Sequence, residues 1–414
     1  MSGMAKTRLI ATVLALLLFM PLLAGCWDRL EIDDRAVVLG VSIDEVSNQE
    51  GEEEEQEVSH VKGSLPPPSK GMVRIGVQIA LPGRIPLGPG EAGGGNGETK
   101  DTVWVISVVG HTVDDAFMNL QQQISARIFF GHLRVIVLSE SVAKKGIENI
   151  NDFFRRNPEV RRMAWMMVAN GRAEKLIEAS PKLERVPTLY LMSTLENSIR
   201  MGKFPKNYIG QFWSNSSKLG QEGFLPYIDI KENENVGVQG LAYFRGNHLV
   251  GTTKPAEISG FLGIRGVNPA GYRAVVQLEK GNSNKTVMTN VTHRYSRINL
   301  DIKDGLPRFR ILVELEANLE EKINGELSID DPETIRRIEQ VQSETSAVFY
   351  QNVIRQTQLK GSDIFGFGEQ VRAKKPGYWN KNIGSKEKWQ EMYKRLEFDI
   401  DVNVKIRRVG MNAM

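Results

Sequence analysis

The sequence predicts an α+β protein, a three-domain ectodomain of mixed sheets with packed helices behind a short amino-terminal leader. Three features carry that expectation. Strand-like runs alternate with amphipathic stretches between 35 and 177, a glycine-turned hairpin stands in the middle region, and two strands of clear period two flank a long capped helix near the end. After a leader over 1–25, the domains are expected at 26–185, 186–272 and 273–414.

In the first region 37–43, 73–79 and 103–109 read as strands. Val73, Ile75, Val77 and Ile79 alternate with Arg74, Gly76 and Gln78, the repeat that gives a pleated strand one buried face. Flexible inserts separate these strands at about 46–71 and 83–100. The first is rich in glutamate and contains Pro66-Pro67-Pro68, the second contains Gly93-Gly94-Gly95, and neither composition can bury enough surface to order itself. The dispersed glutamates lack the turn glycine and the ligand spacing of a calcium loop. Thr112 then caps a helix with Asp114 and Asp115 in its first turn and Val113, Ala116, Phe117, Leu120 and Ile124 along one face. A buried strand at 133–138, a helix at 141–156, a strand at 163–169 and a helix from 173 complete the alternation.

The middle region opens with a helix through Leu195 and Ile199. Strands at 236–244 and 248–251 meet at Arg245-Gly246-Asn247, where glycine and asparagine tolerate positive φ, and a turn or short strand follows at 260–266. In the last region Phe309, Ile311, Val313, Leu315 and Ala317 alternate with solvent-side residues, as do Phe398, Ile400, Val402, Val404 and Ile406; both read as half-buried antiparallel strands. Between them a helix at about 332–360 is capped by Asp331, opened by Pro332 and stopped near Gly361. Its apolar side carries Ile335, Ile338, Val341, Thr345, Val348, Phe349 and Val353. Gln342 and Gln351 interrupt that side, so the helix is expected to cover its own sheet and not to pair in a coiled coil.

The leader has three zones. Lys6 and Arg8 precede an uncharged apolar run over 9–23 that is short for a membrane span, and the run ends in Leu23-Ala24-Gly25-Cys26. That ending looks like a bacterial lipobox, so cleavage is expected between Gly25 and Cys26 and lipidation on Cys26. Cys26 is the only cysteine in the chain and has no internal disulfide partner. A covalent diacylglycerol, joined by an N-acyl chain of the palmitate class, would tether it durably, since each buried methylene contributes about 0.8 kcal/mol. No other cofactor is expected.

A formal net charge of +3, with 41% hydrophobic and 25% charged residues, is ordinary globular composition and gives no sign of a nucleic-acid partner. Site chemistry is equally plain. The histidines at 60, 111, 132, 248 and 293 lack metal-ligand spacing and stand beside no evident nucleophile, so neither a catalytic nor a metal residue is assigned. His132, next to a buried strand, reads as structural. Ser141-Val142-Ala143-Lys144 has the Ser-x-x-Lys spacing of penicillin-interacting enzymes but no Lys-Thr-Gly companion, and falls on a helix start. Gly366 and Gly368, interleaved with Phe365 and Phe367, make a tight turn; no lysine and serine follow to meet a phosphate. Phe365, Phe367 and Trp379 are candidate partner contacts if exposed, and core otherwise. Basic residues between Arg372 and Arg408, and Arg155, Arg156, Arg161 and Arg162, read as solvated faces or as surfaces for an anionic leaflet.

Several ordered motifs resemble one known family. Gly25-Cys26-Trp27-Asp28 with Glu31-Ile32 looks like the start of the Ger(x)C spore germination proteins, the C subunits of GerA-type germinant receptors. The similarity continues through Gly110-His111-Thr112, Arg127-Ile128-Phe129-Phe130-Gly131-His132, the helix at 143–154 and 156–162. It resumes at Gly240-Leu241-Ala242-Tyr243-Phe244 and Leu249-Val250-Gly251, and ends with Asp363-Ile364-Phe365-Gly366-Phe367-Gly368, Trp379 and Trp389. The resemblance implies a non-enzymatic lipoprotein on the outer surface of the spore inner membrane, working with two integral membrane subunits of the A and B type. Its acidic and glycine-rich inserts are longer than the family pattern. An extracytoplasmic solute-binding lipoprotein is the alternative, which calls for two similar lobes around a cleft. A cell-envelope hydrolase would need an assembled nucleophile or metal cluster.

Overall fold

The computed structural model describes residues 3, 8, 10–14, 34–46, 71–81, 102–179, 184, 186–231, 235–279, 285–322 and 331–409. Gly25, Cys26, Trp27 and Asp28, and nearly all of both inserts, lie outside them.

The first sheet has nine strands among the described residues. In space they run β3 (Val103–Gly110), β2 (Val73–Ala80), β1 (Arg35–Glu45), β5 (Val135–Ser139), β6 (Trp165–Ala169), β7 (Phe224–Ile230), β8 (Val236–Arg245) and β9 (His248–Thr252), with short β4 (Arg127–Phe129) also beside β1. Its centre, β1, β5, β6 and β7, is parallel, and antiparallel strands flank it on both sides. Every residue of β5 and β6 is buried, as a sheet covered on both faces requires. Val135, Val137, Trp165 and Met167 enter the core on one face. Ile136, Leu138, Met166 and Val168 enter the core on the other.

Helices α1 (Val113–Gln123), α2 (Glu140–Lys145), α3 (Glu148–Arg156) and α6 (Ile209–Ser216) supply the second face; α4 (Glu174–Glu178) and α5 (Pro187–Arg200) supply the first. Thr112 caps α1 as expected, its hydroxyl accepting from the Asp115 N–H. The single helix expected at 141–156 is two helices, because Gly146 adopts a φ of 120° that breaks the α-helical run. The strands of the middle region join the first sheet through the parallel pair β6–β7, so 186–272 contributes to this sheet and forms none of its own. The hairpin β8–β9 turns at Gly246 as read from the sequence. Where a turn or short strand was expected at 260–266, the chain instead forms helix α7 (Glu257–Ile264), which is buried nearly all round.

The second sheet is β10 (Arg273–Gln277), β11 (Thr286–Lys303), β12 (Leu306–Lys322) and β13 (Phe398–Val409), in that order. One expectation fails here. β11 and β12 are antiparallel, but β12 and β13, the two strands with the clearest alternation, are parallel. The connection between them holds α8 (Pro332–Lys360), α9 (Phe367–Lys374), α10 (Pro376–Asn382) and α11 (Lys386–Tyr393), long enough for a crossover. Alternation reports one buried face and carries no strand direction.

Asp331 caps α8 by accepting from the Glu333 and Thr334 N–H groups, and Gly361 ends it in the left-handed conformation. The helix packs on its own sheet, turned from the expected face. Val348 is 64% exposed, while Gln342 is buried at 3.1 Å from the Thr289 hydroxyl. The helix also covers the open edge of β13: the Ser343 hydroxyl accepts from Val404 N–H at 3.0 Å, and the Glu339 carboxylate from Ile406 N–H at 2.9 Å. Unpaired edge amides invite pairing with other chains, and here side chains occupy them.

That edge is testable. The double substitution Ser343→Ala and Glu339→Ala should destabilise the protein by about 1–3 kcal/mol in urea unfolding, the cost of lost acceptors at part-buried amides. Unchanged unfolding would show that the helix does not seal the strand.

Candidate functional site at the joint between the two sheets

The segment after α8 reads Ser362-Asp363-Ile364-Phe365-Gly366-Phe367-Gly368, and a carboxylate shapes it. Asp363 is 1% exposed. One carboxylate oxygen accepts from Gly366 N–H at 2.8 Å; the other accepts from Gly368 N–H at 2.8 Å and from the Trp389 indole N–H at 3.1 Å. A buried carboxylate needs such donors. Gly366 takes a φ of 80°, which lets the chain curl round the side chain. Gly368 answers a different demand: a β-carbon there would stand 2.5 Å from the Trp389 ring and 2.6 Å from the Gly220 α-carbon. Backbone meets backbone at this point, and Gly220 exchanges hydrogen bonds with Glu369, donating to its carboxylate at 2.8 Å and accepting from its N–H at 3.1 Å.

These contacts tie the last region to the first sheet. The Asp363 carbonyl accepts from Glu222 N–H at 2.8 Å, just before β7, and the Ser362 hydroxyl donates to the Phe244 carbonyl in β8 at 2.5 Å. Arg265, at the end of α7, donates to the Phe365 carbonyl at 2.6 Å. Glu222, 1% exposed, forms a second buried node. Its carboxylate accepts from Gln390 at 2.5 Å, from Gly246 N–H at 3.0 Å and from the Lys386 ammonium at 3.0 Å, while Arg245 donates to Gln390 at 3.0 Å. Two acids thus bind three segments distant in sequence.

Burial pushes Asp363 up to about 6, against the backbone N–H groups of 366–368 and the Trp389 indole, which favour the charge. Burial also raises Glu222, with Lys386 opposing it, and lowers Arg265, with Asp363 opposing that. The arrangement holds no nucleophile beside a base. What it can do chemically is lock two sheets in one relative position and make that lock sensitive to protonation.

Phe365, Phe367 and Trp379 are corrected here. Phe365 and Phe367 are fully buried and Trp379 is 2% exposed. Phe367 packs on Phe309 of β12 and Phe398 of β13, Phe365 on Phe261 of α7, and Trp379 on Trp389, so they present no surface to a partner. An aromatic-glycine alternation cannot reveal this, since the covering residues Phe261, Phe309, Phe398 and Trp389 belong to other elements of the chain. Sequence reading also missed Glu222, Arg265 and Gln390, which stand in no periodic pattern.

The amino-terminal motifs converge elsewhere. Thr112, Arg127, Phe130, Asn149, Phe153, Arg156 and Glu159 line a groove of about 670 Å³, with the Phe117, Phe130 and Phe153 rings packed together beside it. Glu159 accepts from Phe130 N–H at 2.9 Å, which fixes the 127–132 motif against the loop after α3. His132 is partly exposed; burial, then Arg161 and Arg134, push it below its ordinary value. Ser141 bonds Ser139 at 3.1 Å while Lys144 pairs with Glu140 at 2.6 Å, so the Ser-x-x-Lys residues are not aimed at each other. Among the described residues no group of three or more His, Cys, Asp and Glu side chains could hold a metal.

Two outcomes follow from the joint. Gly368→Ala should cost about 1–3 kcal/mol by overpacking, whereas Gly377→Ala, with nothing within 4 Å, should be close to neutral; equal effects in urea unfolding would refute the close approach. Asp363 in the folded protein holds its proton above the ordinary value of 3.8, so its contribution is complete below about pH 4 and lost as pH rises through about 6. The gap corresponds to about 3 kcal/mol. The stability difference between wild type and Asp363→Asn should therefore move towards the variant between pH 4 and pH 7, and a pH-independent difference would rule the titration out.

Comparison with known proteins places this architecture. The chain matches the Spore germination protein N-terminal domain over residues 28–230 and the Spore germination B3/GerAC like C-terminal domain over residues 239–410. The putative spore germination protein YfkR of Bacillus subtilis (strain 168) is 25% identical over 98% of this chain and 98% of its own length. Spore germination protein KC of the same organism is 22% identical, covering 99% and 97%. The crystal structure of the GerBC protein shares the fold, with a TM-score of 0.55 and 19% identity over 82% of this chain and 95% of that one. Matched in order by both domain models from 28 to 410, this chain belongs to the GerAC family of spore germination proteins, the Ger(x)C family.

Proposed function

We propose that this chain is a lipid-anchored, non-enzymatic subunit of a nutrient germinant receptor, held by diacylglycerol on Cys26 at the outer surface of the spore inner membrane. It assembles there with two integral membrane subunits of the A and B type. One observation carries the reading: both germination-protein domains match in sequence order, and the first match begins two residues beyond Cys26. Relatives named spore germination proteins A3 and B3 match over 94% and 97% of this chain.

Among the described residues no helix is long and apolar enough to cross a membrane. The acyl chains on Cys26 then supply the attachment, and confine the body to the plane in which its partners diffuse. Histidines scattered along the sequence, and no nucleophile beside a base at the joint among the described residues, support the reading that it moves no bonds. Its part is mechanical. A body whose two sheets share one core and one buried polar joint passes a displacement at one surface to another, so a nutrient signal in the complex shifts a common conformational equilibrium. The two sheets differ in strand number and topology, which does not favour the solute-binding alternative with its pair of similar lobes.

Affinity purification of the tagged chain from detergent-solubilised spores tests assembly. Two multispan membrane proteins should accompany the intact protein, and Cys26→Ala should sharply reduce their recovery. Recovery of the intact, acylated protein alone would overturn the proposal.

A further inference from the structure

Strands β1, β4, β5 and β6 run parallel, so their first residues gather at one end of the nine-stranded sheet. That end collects arginines. Arg35 opens β1, Arg127 opens β4 directly opposite it, Arg134 precedes β5, and Arg161 and Arg162 precede β6. Arg127, Arg134, Arg161 and Arg162 are exposed, and Arg35 lies over the Phe129 ring at 4.5 Å. None of the five is in a salt bridge among the described residues. His132, in the turn between β4 and β5, feels both Arg161 and Arg134. Met163 stands beside them, 68% exposed. The described acids nearby are Asp34, which is exposed, Glu159, which is engaged with the Phe130 N–H, and Asp114 and Asp152, which line one groove with Arg127; Asp152 is paired with Arg156.

The basic carboxy-terminal stretch behaves differently. Of its eleven basic residues between Arg372 and Arg408, five, namely Arg372, Lys386, Lys394, Lys405 and Arg407, are paired with Glu369, Glu222, Glu391, Glu339 and Glu316 within the molecule. Position separates the two sets further. Arg35 follows Cys26 by nine residues, a length that spans at most about 30 Å when fully extended. The arginine end of the sheet is therefore the end nearest the anchor.

We propose that this arginine-lined end, with Met163 at its surface, is the membrane-facing surface of the protein and docks on anionic phospholipid headgroups. The orientation rests on the Cys26 anchor proposed above. Guanidinium groups take phosphate oxygens in pairs, and the attraction reaches about 8 Å at physiological ionic strength, so it acts on a body already tethered. Docking would turn the opposite end of the sheet, where α4 begins, away from the bilayer.

The test uses the mature acylated chain in vesicles. With Cys26 acylated, Met163→Cys provides a unique thiol for a fluorophore, and Lys175→Cys, exposed on α4, provides the reference. Vesicles of phosphatidylcholine, with or without phosphatidylglycerol, carry a headgroup nitroxide quencher. The label at 163 should be quenched strongly only with phosphatidylglycerol, the label at 175 weakly in both. Raising salt, or Arg134→Glu with Arg161→Glu and Arg162→Glu, should abolish the difference; the salt arm needs no variant and circular dichroism checks the triple one. An anchored protein with equal quenching at both positions, or quenching indifferent to phosphatidylglycerol, overturns the proposal and leaves the anchor standing. If Cys26 proves unmodified, the anchor reading fails, and phosphatidylglycerol-dependent quenching at 163 in a Cys26→Ser background still decides the surface.

Discussion

A single carboxylate, Asp363, organises the joint on which the rest of the molecule depends. Buried without donors, its charge would be prohibitively costly. The chain meets that demand by curling at Gly366, presenting the amides of Gly366 and Gly368, and bringing in the indole of Trp389. The same curl directs Phe365 and Phe367 into the core, against α7 and the second sheet. It also sets backbone against backbone at Gly220 and Gly368, so the loop before β7 and the start of α9 fit only one way. The polar requirement and the apolar packing fix one geometry together.

That geometry suits the mechanical role proposed above. The apolar cluster passes without interruption from β5 and β6, through α7, to β12 and β13. Close-packed interiors transmit strain and do not absorb it. Glu222, Gln390 and Lys386 extend the joint to the β8–β9 hairpin, so the sheet near the amino terminus and the helices near the carboxy terminus form one connected body. The parallel centre of the first sheet has a second effect. It brings to one end arginines that lie more than a hundred residues apart in sequence.

Local signals were legible wherever a short-range rule decided the outcome. Thr112, Asp331, Pro332 and Gly361 marked helix ends through hydrogen bonds and dihedral preferences that act within one turn. The hairpin at Gly246 was readable for the same reason. Direction was not. The alternation of Phe309 to Ala317 and of Phe398 to Ile406 fits parallel and antiparallel pairing equally, and only the crossover through α8 to α11 decided it. Helix α7 escaped notice because its glycines read as turn residues, whereas burial on nearly every side made a helix the way to satisfy its backbone.

The sequence by itself determined the element inventory in outline, the capped long helix, the α+β class and the family, because these rest on periodicity, capping chemistry and ordered motifs carried by neighbouring residues. Tertiary structure decided that Phe365, Phe367 and Trp379 are core, that Asp363 and Glu222 are nodes of one polar joint, and which basic residues stay unpaired. Each of those depends on groups brought together from distant segments. Burial and partnership are properties of three-dimensional neighbours, and a linear pattern holds no record of them until the chain has folded.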